Sequence, residues 1–143
     1  MQNIEQLPSF QGSDADFFAM VTKVVFYTGF TRTVVEKRWP AFVDAFLGFD
    51  IDQVASFDDV VIERLLCKDS LIIKNHRKVR ATVENARVCL RLREEVGSLA
   101  EFANSILIHG EENGEKVLRK TFHLIGESAG KSLYNSLVMA SQA

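Results

Sequence analysis

The sequence predicts an all-helical chain, and two observations carry that prediction. Only two prolines, Pro8 and Pro40, interrupt 143 residues, and no stretch alternates apolar and polar residues long enough to make a half-buried strand. Apolar residues recur instead at helical spacing, in segments that open on capping residues and close on glycine.

Taken in order, Ser13-Asp14-Ala15-Asp16 reads as an N-cap with an acidic first turn, where carboxylates oppose the positive end of the helix dipole. The helix behind it carries Phe17, Met20, Val21, Val24 and Val25 at core spacing and should stop near Gly29. A second helix is expected over residues 33–47, with Val34, Val35, Phe42 and Phe46 inward and Gly48 at its end. Pro40 either kinks that helix or marks a fresh start. Ser56-Phe57-Asp58-Asp59 opens another, ending near Cys67-Lys68-Asp69. The turn Leu71-Ile72-Ile73 leads into a long helix over residues 77–96, closed by Gly97. Ser98 and Glu101 have the spacing of a capping box for the next helix. Residues 111–115 read as a polar loop, and a last helix spans residues 127–140. No repeat and no linker divides the chain, so one domain over residues 1–143 is expected.

Composition bounds the function. With 47% hydrophobic and 25% charged residues, the chain fits one core. At this length, folding buries roughly 68–70% of the unfolded surface without a metal or disulfide staple. No apolar run approaches the roughly 18–20 residues needed to cross a bilayer. The start, Met1-Gln2-Asn3-Ile4-Glu5, lacks a signal-peptide layout. The expectation is a cytoplasmic, soluble chain. Cys67 and Cys89 both sit in apolar periodic stretches, where buried free thiols are expected. With His76, His109 and His123 they show no ligand spacing, so neither a metal nor a cofactor is expected. A net charge of −2 argues against a general polycation but allows a local basic face.

Such a face is visible between Lys68 and Arg93. Lys68, Lys74, Arg77, Lys78, Arg80, Arg87, Arg91 and Arg93 are opposed there only by Asp69 and Glu84. The pattern suits either a solvated helix face or a surface that contacts phosphates, where each neutralised phosphate releases counterion. A second feature lies near the C-terminus, where Leu124-Ile125-Gly126 opens directly onto a helix. The unpaired N–H groups of such a terminus attract anions, and Lys120 and Lys131 flank it. The alternative is a tight turn in which glycine merely permits close packing, and Glu127 is placed to act as a local cap.

Several stretches together resemble the DNA-3-methyladenine glycosylase I family, within the helix–hairpin–helix glycosylases. They are Thr33-Val34-Val35-Glu36-Lys37-Arg38 with Phe42, Ala45-Phe46 and Phe49-Asp50; Val54-Ala55; Glu63-Arg64-Leu65-Leu66; Ile72-Ile73-Lys74-Asn75; Lys78-Val79-Arg80-Ala81; and Asn85-Ala86. Phe122-His123-Leu124-Ile125-Gly126 resembles the family's hairpin. The resemblance covers residues 17–102 and 120–140. It implies a helical protein with a helix–hairpin–helix element near the C-terminus that grips duplex DNA through Lys120, Leu124, Gly126, Ser128 and Lys131, aided by Lys74 and Lys78. A damaged base would then be flipped into a pocket.

The departures concern that pocket. The family's base-binding glutamate aligns with Lys23, and its Ser-Trp pair with Phe30-Thr31. Phe26, Tyr27 and Phe30, on one helical face with Lys23, are the aromatics available to rebuild a stacking wall. The implied base pocket is therefore Lys23, Phe26, Tyr27, Phe30 and Thr31. Asp14, Asp16 and Glu36 are the candidate carboxylates. The ligands of the family's structural zinc have no counterparts. The backbone-cutting relatives carry a lysine just after the hairpin glycine, and Ser128 stands there, so no lyase activity is implied. Three functions compete: a glycosylase for alkylated purines, a DNA-binding relative that lost the chemistry, and a helical domain turned to a small molecule or protein.

Overall fold

The computed structural model describes residues 9–29 and 32–141, all of whose regular structure is helical. Eight α-helices follow one another: α1 (Asp14–Tyr27), α2 (Arg32–Ala45), α3 (Ile51–Ala55), α4 (Asp59–Leu65), α5 (His76–Val96), α6 (Leu99–His109), α7 (Glu111–Thr121) and α8 (Glu127–Ala140). Their starts follow capping chemistry. Ser13 and Asp16 close a reciprocal box on α1, Asn75 caps α5 through Lys78 N–H, and Ser98 caps α6 through Glu101 N–H.

α5 is the central helix. It packs against α1, α3, α4 and α6, while α8 packs against α1, α6 and α7. The buried side chains of these helices join in one cluster, with Phe17, Phe18, Phe26, Phe42 and Phe46 fully enclosed. Some phenylalanines meet edge to face, as Phe17 does Phe102 at 5.9 Å and 87°, while Phe46 stacks with Phe42, Phe49 and Phe57.

Several expectations are corrected. Residues 111–115 are not a loop: they form the first turn and a half of α7, where Glu111 and Glu112 complement the helix dipole. Gly114 lies buried there, because a Cβ would stand 2.8 Å from the Tyr134 ring and 2.9 Å from the Ile106 carbonyl. Val34 faces outward, whereas Val35 and Phe42 carry the buried stripe of α2. Pro40 does not divide α2, which runs through it to Ala45. The helix ends before residue 47, at a turn in which Leu47, Gly48 and Phe49 all have positive φ. Cys67 is exposed because it falls past the end of α4, while Cys89 is buried and its thiol is pushed up by that burial. No helix among the described residues is long and apolar enough to cross a membrane.

Candidate active site and its basic rim

A cavity of about 540 Å³ opens between α1 and α8. Lys23 and Tyr27 reach it from α1, Ser132, Asn135 and Ser136 from α8, and Arg32 from the first residue of α2. Lys23 and Tyr27 are one helical turn apart, which brings their side chains out on the same face. A smaller cavity of about 260 Å³ continues past Tyr27 and Arg32 to Ser128 at the start of α8. Another, of about 410 Å³, shares Lys23 and Met20 and extends to Trp39.

One stripe of α2 organises these groups. Arg32, Glu36 and Trp39 follow one another at i, i+4 and i+7, so they share a face, and each meets the cavity face of α1. The Arg32 guanidinium lies 4.7 Å from the centre of the Tyr27 ring. The Glu36 carboxylate accepts a hydrogen bond from the Tyr27 hydroxyl and stands 3.3 Å from Lys23 Nζ. Lys23 Nζ in turn lies 4.7 Å from the centre of the Trp39 ring. Burial, reinforced by the hydrogen bond to Glu36, pushes the Tyr27 hydroxyl up to about 12. The Tyr27 hydrogen bond holds the Glu36 carboxyl below its ordinary value; Lys23 and Arg32 add to this against the opposing effect of burial. At neutral pH the group is therefore a neutral phenol, an ionised carboxylate and two cations.

The residues expected at the pocket separate here. Lys23 and Tyr27 line the cavity. Phe26 does not: it is fully buried in the core, with its ring 4.7 Å from that of Phe42. Phe30 and Thr31 lie outside the described residues. Of the candidate carboxylates, Asp14 accepts the Leu99 N–H and so helps start α6, and Asp16 belongs to the capping box of α1. Glu36 is the one beside the cavity. Arg32, Trp39 and Asn135 were not singled out by sequence reasoning. The i, i+4, i+7 spacing on α2 was the available signal, but nothing local says which helix that stripe meets.

The helices α7 and α8 run antiparallel, with Gly114 beside Tyr134 and Gly130 beside Arg119. The turn over residues 122–126 joins them. Asn85, fully buried on α5, grips this turn from both sides: its amide donates to the His123 carbonyl at 3.1 Å and its oxygen accepts the His123 N–H at 2.7 Å. Leu124 takes the positive φ in the turn, at 59°. A Cβ on Gly126 would meet nothing within 4 Å, so close packing does not require glycine there. No side chain among the described residues caps α8, and Glu127 and Ser128 are exposed at its start. Lys120 and Lys131 are exposed on either side of the turn.

The basic stretch divides into two parts. Arg80 pairs with Asp59 at 3.2 Å, Arg87 with Glu84 at 2.6 Å and Arg93 with Asp52 at 2.7 Å, and Arg87 also donates to the Ala55 and Phe57 carbonyls. Arg80, Arg87 and Arg93 thus staple α5 to the segment carrying α3 and α4 or to their own helix, which leaves less of the stretch for phosphates than its charge count suggests. Lys74 is exposed just before α5. Lys78 donates to the Thr28 carbonyl and ties α5 to the end of α1, and its partial burial lowers its pKa.

A family model described as methyladenine glycosylase matches residues 8–135. The chain belongs to this family. No curated protein matches it in sequence. Solved structures of similar shape include a crystal structure of 3-methyladenine DNA glycosylase I, 19% identical, covering 95% of this chain and 84% of the other with a TM-score of 0.79. A second, the 3-methyladenine DNA glycosylase I of Staphylococcus aureus, is 18% identical, covers 95% and 82%, and has a TM-score of 0.80. A solution structure of 3-methyladenine DNA glycosylase I is 20% identical, covers 96% and 82%, and has a TM-score of 0.77. These likenesses establish the methyladenine glycosylase fold. No group of three or more His, Cys, Asp or Glu among the described residues is arranged to hold a metal ion.

Proposed function

We propose that this chain is a monofunctional DNA glycosylase, which draws a modified purine out of duplex DNA into the cavity between α1 and α8 and hydrolyses its N-glycosidic bond. The observation that carries this reading is the convergence of Lys23, Tyr27, Arg32 and Glu36 on a cavity that leads to the start of α8, in a chain of the methyladenine glycosylase family. Extruding a base costs a few kcal/mol and is cheapest for a damaged one, so the flip itself contributes selectivity. The exposed turn around Leu124 and Gly126, with Ser128, Lys120 and Lys131, supplies the phosphate grip, and Lys74 adds charge at the start of α5. Lys78 steadies the end of α1 beside the cavity. Ser128 stands where the strand-cutting relatives carry a lysine, so this reading has water as the nucleophile and leaves the strand intact. Because the similar structures are 3-methyladenine glycosylases, alkylated purines are the first substrates to try.

The test is single-turnover incubation with duplexes carrying modified purines, scoring freed bases by chromatography. Freed base with an uncut strand supports the reading, and absence of any product beside a working control overturns it. One observation favours a second reading, a DNA-binding relative without chemistry: Glu36 is already engaged by both Tyr27 and Lys23. That reading predicts duplex binding that weakens steeply with salt and yields no free base.

A further inference from the structure

On the reading that the chain is a DNA glycosylase, the charge inside the cavity narrows the class of base it takes. Among the described residues, the side chains lining the 540 Å³ cavity include two cations, Lys23 and Arg32, the polar groups of Ser132 and Asn135, and Ser136, whose hydroxyl donates to the Ser132 carbonyl at 2.9 Å, but no carboxylate. Charged groups from the packed elements are few. Lys23 comes from α1, and Arg32 and Glu36 come from α2, while the α8 residues lining the cavity carry no charge. Glu36 stands at the rim and is held by Tyr27 and Lys23, so one engaged carboxylate opposes two cations. Asp16, in the adjoining cavity, accepts the Ser13 N–H at 2.9 Å. Among the described residues the cavity is net positive, and Lys23, Arg32, Ser132 and Asn135 carry the groups that can donate into it.

We propose that it selects a neutral purine bearing a carbonyl at C6, the deaminated form of adenine, over a cationic N-alkylated adenine. A 6-oxopurine shows O6 and N7 as adjacent acceptors, the edge that Arg and Lys recognise, whereas adenine turns an amino donor toward the same position. A cationic base would also meet Lys23 and Arg32 as like charges at close range, which repel it. The leaving group points the same way. As the water oxygen bonds to C1′ and the C1′–N9 bond breaks, the electron pair of that bond passes to the base. A cationic alkylpurine departs neutral and needs no help. A neutral 6-oxopurine departs as an anion, with charge spread onto O6 and N7, and Lys23 and Arg32 stabilise that charge as it develops. The attacking water loses a proton to solvent, the purine takes one up, and the products are free base and an abasic site.

The experiment incubates the full chain, in excess, with a duplex carrying one hypoxanthine and with a methylated duplex that holds 3-methyladenine. Freed bases are measured over time, and rates without enzyme are subtracted. The expected result is hypoxanthine release on the order of tenfold faster than 3-methyladenine release. Lys23→Met and Arg32→Met, each checked for folding by thermal melting, should each slow hypoxanthine release on the order of tenfold more than they slow 3-methyladenine release, so that the ratio of the two rates collapses. Arg32 is exposed at a helix start, so its variant reports even where Lys23→Met is destabilised. Faster release of 3-methyladenine, or equal slowing of both bases in the variants, overturns this proposal and leaves the glycosylase reading standing. Release of neither base, beside a control glycosylase that works, overturns this proposal, and the glycosylase reading falls with it when no other modified purine is released.

Discussion

Replacing Asn85 with alanine should loosen the turn between α7 and α8 more than any other single change there. The fully buried side chain satisfies both the N–H and the carbonyl of His123, at 2.7 and 3.1 Å. Leaving a buried backbone group without its partner costs about 1–3 kcal/mol. His123 is itself exposed, so water can reach part of this turn and offset some of the loss. The expected destabilisation is therefore about 2–3 kcal/mol, from one fully orphaned group and one partly hydrated group. Urea unfolding measures it as a lower midpoint with an unchanged slope, because the surface exposed on unfolding stays the same. Asn85→Asp is the control: it keeps an acceptor for the His123 N–H but sets a carboxylate against the His123 carbonyl, so it should be no milder. A midpoint shift worth less than about 0.5 kcal/mol, the range of ordinary surface substitutions, would refute the reasoning.

Other consequences are as direct. Gly114→Ala drives a Cβ to 2.8 Å from the Tyr134 ring and 2.9 Å from the Ile106 carbonyl; backbone cannot yield cheaply, and calorimetry should record a loss of about 2–3 kcal/mol. Tyr27 has a folded-state pKa raised from 10.0 to about 12, so the neutral phenol is favoured by folding. Its contribution is fully present below pH 10.0 and is lost as pH rises toward 12; phenolate absorbance should show this late titration, and Tyr27→Phe should abolish it. Lys120→Gln and Lys131→Gln should each reduce the slope of log affinity for duplex DNA against log salt by about 1, as measured by fluorescence anisotropy. An unchanged slope in both would place the phosphate grip elsewhere.

Much of the fold is legible in the sequence because its signals are local. Ser13, Gly29, Gly97 and Ser98 mark helix ends by capping chemistry, and the core spacing of α1 needs no tertiary information. α7 escapes notice because its buried face is reduced to Gly114 and Leu118, and the glycine is explained by contacts from other helices, the Ile106 carbonyl and the Tyr134 ring. The site is half legible for a similar reason. Lys23 and Tyr27 share one helix face, whereas Glu36, Arg32 and Trp39 become part of the site only when α2 crosses α1. Phe26 misleads because it neighbours Tyr27 in sequence yet turns into the core, where it meets Phe42 of α2. Likewise the basic run from Lys68 to Arg93 exaggerates the surface left for DNA, since Asp52 and Asp59, from distant segments, engage Arg93 and Arg80.

The most direct test of the central claim is to incubate the chain in excess with modified duplex DNA and to assay the same sample for freed base and for strand integrity before and after alkali. The account predicts free purine and a strand that breaks only after alkali treatment. No freed base from any modified duplex, beside a control glycosylase that works, would contradict it.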